Sequence, residues 1–442
     1  MAPQTEAACL LKSGALYGVR IMLRPLQGPP IFAGFKQGAF SLYYGDEPIY
    51  HFDREGRWQR AYHNGVHYLK GLDTTVQSID RVREGQNLVL KRRTLPYAEA
   101  SDLDAAIRAT ALDLIETLGS DRLERVDPPS GKATPLSSES LRDFLERVAD
   151  WDSAAWFAHR EKYLATYGPL PFLPPDSQNA LVLQATLGHA GGVAFGGGAA
   201  APYYQRSTSE FATHIREVAK LYGQRLVQYR NLFLAGSDVL RRPIEETAAY
   251  LETIARTQWD AESGRRAEPQ DGFSTPPRLE SVHAFLDDFT TSRYAPAEWR
   301  TLRDLHLRRV ILGVESGDPT VRAAYGKDWA NDALAATVAD LKEAELGVSL
   351  VVLVGAGGVE QAERHLAATA DLINALALGT GDLVALVDAN EVCDPSQASL
   401  GFTPLVGAGW SDQLAAFKEA LRPVKAERGA KVVPYSLEKQ GH

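Results

Sequence analysis

The chain has 442 residues, 45% hydrophobic and 23% charged, an ordinary globular composition with enough length for two or three domains. A formal net charge of -9 and a pI near 5.7 speak against a general polyanion binder, so no nucleic-acid partner is predicted. The longest apolar runs, such as Val348 to Val354, fall far short of the roughly 20 residues that span a bilayer, and no apolar segment with a cleavage site opens the chain, so no membrane association and a cytoplasmic location are expected.

Residues 1–100 read as a β-rich accessory module, in which short aromatic and β-branched runs such as Ala39 to Tyr44 and Pro48 to Phe52 are punctuated by glycines. Its rings, among them Tyr43, Tyr50, His51, Tyr62, His63, His67 and Tyr68, suit an interaction surface, and equally a small core of cross-strand pairs. Lys91, Arg92 and Arg93 read as a solvated strand end. A helical connector is predicted over 101–166. Ser101 with Asp104 signals its first helix, Leu103, Ile107, Ala111, Leu114 and Leu118 share a face, and a second helix runs from about Ser138 to Tyr163. The proline-rich stretch 167–177 can sustain neither helix nor central strand. It is a linker whose Leu170, Phe172 and Leu173 suit it to packing against the second domain.

Over 178–400, strand-like and helix-like segments alternate. Strands are predicted at Ala180 to Leu187, Val227 to Leu234, Ser281 to Leu286, Arg309 to Val314, Val348 to Val354 and Leu383 to Val387. Amphipathic helices lie between them. The first opens with a Ser207/Glu210 capping box, a later one presents Leu334, Val338 and Leu341, and the last before Gly379 presents Leu366, Ile373 and Leu376. Residues 401–442 add a helix, Ser411 to Arg422, and an apolar stretch, Val432 to Tyr435. The alternation predicts an α/β fold with a parallel sheet, either an incomplete (β/α) barrel or a doubly wound sheet.

Chemistry in such folds gathers where strands end. The first strand runs into Thr186-Leu187-Gly188 and then His189, Val193 and Gly196, with Phe195 just before the last, followed by Tyr204-Gln205-Arg206-Ser207. Further along, RRVILGVESG is followed by Lys327, and an amphipathic helix by LGVSLVVLVGAGG. These segments, over about residues 178 to 390, resemble the radical S-adenosylmethionine superfamily. The resemblance implies an incomplete parallel (β/α) barrel. It also implies that Glu315 and Ser316 lie near the nucleoside of S-adenosylmethionine and that Gly355, Gly357 and Gly358 line the adenine. Asp238, at the second strand's exit, is counted with this site, although as a residue type at a loop start it reads first as a cap or a solvated end, as does Asp388.

The resemblance fails at its chemical centre. Family members carry three cysteines at CxxxCxxC spacing, where this chain has His189, Val193 and Gly196. Three thiolates hold three irons and leave the fourth for the cosubstrate, and one imidazole cannot replace them. Cys9 and Cys393, the two cysteines of the chain, are remote from the loop and lie in no zinc spacing. A 4Fe-4S cluster is therefore expected to be absent, and no metal is assigned. S-adenosylmethionine is expected to bind weakly at most. Six glycines between Gly188 and Gly198 match neither a P-loop nor a dinucleotide fingerprint and read as a vestigial cluster loop.

The expectation is a family-derived barrel kept as a non-radical binding or interaction protein, with a small molecule or a protein as partner. Two alternatives stand beside it. One is a radical enzyme whose cluster loop has been substituted in this chain. The other is a metal-dependent hydrolase or lyase with a divalent ion on Asp287, Asp288 and Glu315. Lys327 reads as an exposed lysine, with neutralisation of Glu315 as the alternative.

Overall fold

The computed structural model describes residues 19–36, 38–84, 87–126, 134–168, 170, 173–188, 203–236, 239–257, 280–290, 294–392 and 400–436. Strands β1 (Val19–Pro25), β2 (Ile31–Lys36), β3 (Ala39–Tyr44), β4 (Ile49–Asp53), β5 (Trp58–His63), β6 (Val66–Lys70), β7 (Val76–Glu84) and β8 (Asn87–Thr94) form an antiparallel meander, each paired with the next. Turn chemistry sets the register. Asn64 and Gly65, with φ of 51° and 73°, are the two residues between β5 and β6, and a two-residue hairpin of this hand requires positive φ at both.

The stretch 101–166, read as a connector, is tied to this sheet. It returns β9 (Leu123–Val126) and β10 (Thr134–Pro135) to pair with β1. Its helices bury Leu103, Ile107, Leu114, Leu141, Phe144 and Val148 against Ile21, Phe40, Leu42, Tyr50 and Phe52. The first helix runs Tyr97–Thr117, starting four residues before Ser101. Pro96 precedes it at φ -56°, a value already suited to a helix start, and proline's missing donor costs nothing there. The predicted second helix is two helices, Ser138–Ala149 and Ser153–Thr166, because the Asp152 carboxylate accepts from the Ala155 amide and caps the latter.

The second sheet is parallel. After β11 (Leu181–Gln184), a short β12 (Thr186–Leu187) pairs antiparallel with β13 (Tyr204–Gln205). Then β14 (Asn231–Ala235), β15 (Ser281–Leu286), β16 (Leu307–Glu315), β17 (Gly347–Val354), β18 (Leu383–Asp388) and β19 (Lys431–Tyr435) add to β11 in chain order, seven strands among the described residues. The order never reverses. A doubly wound sheet needs a switch point, so that alternative is set aside. Helices Thr208–Tyr222, Ile244–Arg256, Asn331–Glu343 and Ala362–Ala375 separate the strands. The strand interiors are buried along nearly their whole length, as expected where both faces are covered. Val227 lies in a 3-10 turn, Gly223–Gln228, so β14 starts four residues later than predicted. The apolar stretch near 432 is the seventh strand, and the helix before it divides into Gly407–Ala420 and Arg422–Ala426.

The linker packs across the starts of these strands. The Asp176 carboxylate accepts from the Ser349 hydroxyl at 2.5 Å and pairs with Arg309 at 3.1 Å. Ser177 bonds His283 at 2.9 Å. Tyr435, on the last strand, donates to the Leu173 carbonyl at 2.7 Å. The two sheets have largely separate cores, with Leu72 of the first part packed into the second, and a buried arginine is prominent among the contacts between them. Arg57, held by Asp53 at 2.7 Å, donates to the carbonyls of Leu221 and Tyr222 at 2.7 and 2.6 Å, where the negative end of helix Thr208–Tyr222 favours a cation. Among the described residues no helix is long and apolar enough to cross a membrane.

Candidate functional site

The exits of β15, β16 and β17 carry the residues singled out in the sequence. Strand β16 is apolar from Val310 to Leu312 and then reaches Gly313, where its pairing with β17 shifts register and the chain bulges. The bulge carries Glu315 at φ 55°, a left-handed conformation that is uncommon outside glycine and concentrates at functional sites. A short helix, Pro319–Ala324, comes next, capped by the Asp318 carboxylate. Its end folds back through Gly326, φ 74°, with the Lys327 amide bonded to the Arg322 carbonyl at 3.1 Å.

That return places the Lys327 ammonium 2.6 Å from Glu315, 3.2 Å from the Gly313 carbonyl and 3.8 Å from Asp287. Lys327 is thus buried and paired, not an exposed lysine. The room for it comes from Gly313, where a Cβ would stand 2.9 Å from the Lys327 nitrogen and 2.8 Å from a Glu315 oxygen. Burial pushes Glu315 up to about 7, against the opposing pull of Lys327. Its Oε1 has no hydrogen-bond partner. Arg322 closes the site from behind, stacked over Trp329 at 4.0 Å and donating to the carbonyls of Ser316 and Trp329.

Ser316 does not reach the same space. Its hydroxyl bonds His365 Nδ1 at 2.7 Å and accepts from the Asp318 amide at 3.0 Å. His365 Nε2 donates to the Leu353 carbonyl at 2.8 Å, which leaves Nδ1 as the acceptor and makes Ser316 the donor. Burial holds the imidazole down at about 4, so it stays neutral and ties the exits of β16 and β17 together.

The glycines after β17 are buried. Gln413, from helix Gly407–Ala420, accepts from the Gly355 amide at 2.6 Å and donates to the Ala362 carbonyl at 3.0 Å. Gly357, φ 77°, approaches Val321 and Gln361 so closely that a Cβ would lie 2.8 Å from each, and a Cβ on Gly358, φ 59°, would lie 2.3 Å from the Thr403 carbonyl. Gly355 and Gly358 thus meet the chain's own C-terminal segment.

The carboxylates do not gather into a metal centre. Asp288 pairs with Arg241 at 2.8 Å, Asp388 caps the turn at Asn390, and Lys327 stands between Asp287 and Glu315. Among the described residues no group of three His, Cys, Asp or Glu could hold a metal ion, and the Lys327 ammonium stands where a divalent ion on Asp287 and Glu315 would have to sit. His189, Val193, Gly196 and Asp238 lie outside the described residues. The ends of their loop are described, and the pairing of Thr186 with Gln205 and of Leu187 with Tyr204 joins its entry to its exit. By residue chemistry, one imidazole with a valine and a glycine does not fit a cubane cluster that needs three thiolates. A cleft of 360 Å³ beside this ribbon is lined by Thr166, Arg206, Glu210 and His214 among others. Arg206 is engaged with the Gln184 carbonyl, His214 with the Gln184 amide and Glu210 in the capping box, and Glu217 pairs with Lys220.

Among the solved structures that resemble this fold are radical S-adenosylmethionine enzymes. The methyltransferase TsrM from Kitasatospora setae is 16% identical at a TM-score of 0.33, over 47% of this chain and 34% of that one, so this chain matches about a third of TsrM's length. HydG, a maturase of the FeFe-hydrogenase, is 13% identical at a TM-score of 0.39, over 75% of this chain and 66% of that one. Elp3 from the archaeon Methanocaldococcus infernus is 12% identical at a TM-score of 0.32, over 58% and 56%. No family model and no curated protein matches the sequence. These are distant likenesses, and the residue-level reading stands on the chain's own motifs and contacts.

Proposed function

We propose that this chain is a radical S-adenosylmethionine-like partial barrel that has lost cluster chemistry and works as a non-radical binding or interaction protein of the cytoplasm. The observation that supports the reading is at the strand exits, where Lys327, Gln413 and the segment around Thr403 contact Glu315, Gly355 and Gly358, the residues that the resemblance assigns to a nucleoside and its adenine. The missing thiols support it independently.

Anaerobic reconstitution with iron and sulfide tests it. The protein is expected to take up no stoichiometric iron and to develop no thiolate-to-iron absorbance, and calorimetry is expected to detect no tight S-adenosylmethionine binding. A four-iron cluster, or a low-micromolar affinity of roughly -8 kcal/mol, overturns it. The triple change His189→Cys, Val193→Cys and Gly196→Cys tests the family geometry, because the paired loop ends already hold entry beside exit. Iron uptake by that variant above the parent's supports a vestigial cluster loop, and equal uptake by a folded variant reduces the resemblance to a shared barrel.

A further inference from the structure

The antiparallel sheet has a face that its helices do not cover. Along β1 to β3, buried residues alternate with half-exposed ones, so one side packs on the helices and the other looks outward. On the outward side, the register sets Phe32, Tyr43, Ile49, Tyr62, His67 and Ile79 directly opposite one another on six successive strands. At about 4.8 Å between strands, this apolar row crosses roughly 24 Å of sheet. Every member is half-buried by its neighbours, and none belongs to the core beneath.

The row is flanked by cations. Arg92 continues it on β8, and Arg60 sits opposite His51 in the adjoining rung. Arg60 is exposed. Residues 19–94 hold twelve Lys and Arg against seven Asp and Glu, a formal +5 within a chain of -9. Four of these cations are paired away, Arg57 with Asp53, Lys70 with Asp104, Arg93 with Glu99 and Arg24 with Glu124, which leaves Arg60 and Arg92 as the cations beside the row. The outward face thus combines the apolar row with the exposed guanidinium of Arg60 in the next rung and with Arg92 at the row's end.

We infer that the outward face of the meander is the docking surface for a protein partner whose contacting segment is acidic and carries apolar or aromatic side chains. A second copy of this chain fits poorly, because a face-to-face pair would set Arg60 and Arg92 against cations of the same kind. A nucleic acid fits less well than a protein. Bases stack on open ring faces, whereas Tyr62 lies over His67 at 4.6 Å, Tyr43 stands edge-on to His51 at 5.7 Å, and aliphatic Ile49 and Ile79 interleave with them.

The test uses the full chain and a labelled peptide in which Glu alternates with Phe and Leu, monitored by fluorescence anisotropy. Saturable, salt-weakened binding is expected, reduced roughly tenfold by Arg60→Glu and by Tyr62→Ser, since a central aromatic and its flanking charge carry most of such a contact. Arg60→Lys should keep most of the affinity. Arg60 is solvent-facing, so its variants stay informative even if Tyr62→Ser fails to fold. No binding, equal binding by the Arg60→Glu protein, tighter binding of a poly-dT strand, or a concentration-dependent dimer abolished by Arg60→Glu each overturns the proposal.

Discussion

Lys327 and Glu315 form an ion pair of 2.6 Å with side-chain exposures of 2% and 0%, and Asp287 lies on the other side of the same ammonium at 3.8 Å. Removing one member leaves the other charge without its partner in a dry interior. Lys327→Met is expected to cost about 3–5 kcal/mol, and the double variant with Glu315→Gln less than the sum of the single changes. Gly313→Ala, which would press a methyl into the pair, should cost about 1–3 kcal/mol. Urea unfolding of wild type and these variants decides this. Additive losses would mean that the two residues are not coupled.

Burial raises Glu315 from 4.5 to about 7. A carboxyl whose folded value lies above its unfolded one contributes stability that is fully present below about 4.5 and disappears as pH rises through 7. Between pH 5 and pH 8 the protein should lose on the order of 3 kcal/mol from this group, and Glu315→Gln should flatten that slope. Unfolding midpoints measured across the range give the answer. A wild-type slope no steeper than the variant's contradicts it.

Two glycines after β17 are predicted to differ although both have positive φ. A Cβ at Gly355 meets its nearest neighbour at 3.6 Å, whereas at Gly358 it meets the Thr403 carbonyl at 2.3 Å. Gly355→Ala should therefore cost only the backbone term, about 1 kcal/mol. Gly358→Ala should cost more, about 2–4 kcal/mol, and should speed exchange of the Val359 amide, which donates to Thr403. Similar exchange rates for Val359 in the two variants would show that the segment around Thr403 does not depend on this contact.

Arg57 joins the two sheets through backbone carbonyls and is itself held by buried Asp53. Arg57→Met should cost about 3–5 kcal/mol by stranding that carboxylate and should uncouple the two cores. Calorimetry is expected to split one unfolding endotherm into two. A single cooperative transition in the variant would show that other contacts carry the coupling.

Much of the parallel sheet was legible because its strands are short apolar runs separated by helices with clear faces. Strand β19 was harder, since Pro434 interrupts a five-residue run whose partner, β18, is supplied from a distant part of the chain. Glu315 stood out as a charge ending an apolar strand. Its partner Lys327 was named only as the second reading, after an exposed lysine, because only the turn at Gly326 turns it inward. Gln413 reaches Gly355 from a helix 58 residues away, a contact without local signature. His365 could have been found: it falls on the buried face of helix Ala362–Ala375 with Thr369 and Ile373, where a histidine must find partners. The expected face through Leu366 is displaced by one position, and Leu366 is only half-buried.

The hydroxyl of Tyr435 meets the carbonyl of Leu173 across 262 residues of sequence. The strand pairings of the parallel sheet, by contrast, join neighbours in chain order, so the sheet can grow by successive addition, each step closing a modest loop. The Tyr435 contact closes a far longer one. It can form only once the last strand has docked, and it links that strand to the segment lying across the starts of its predecessors. The contact is thus among the last of this half to form, and until it does β18 is left as an edge of the sheet.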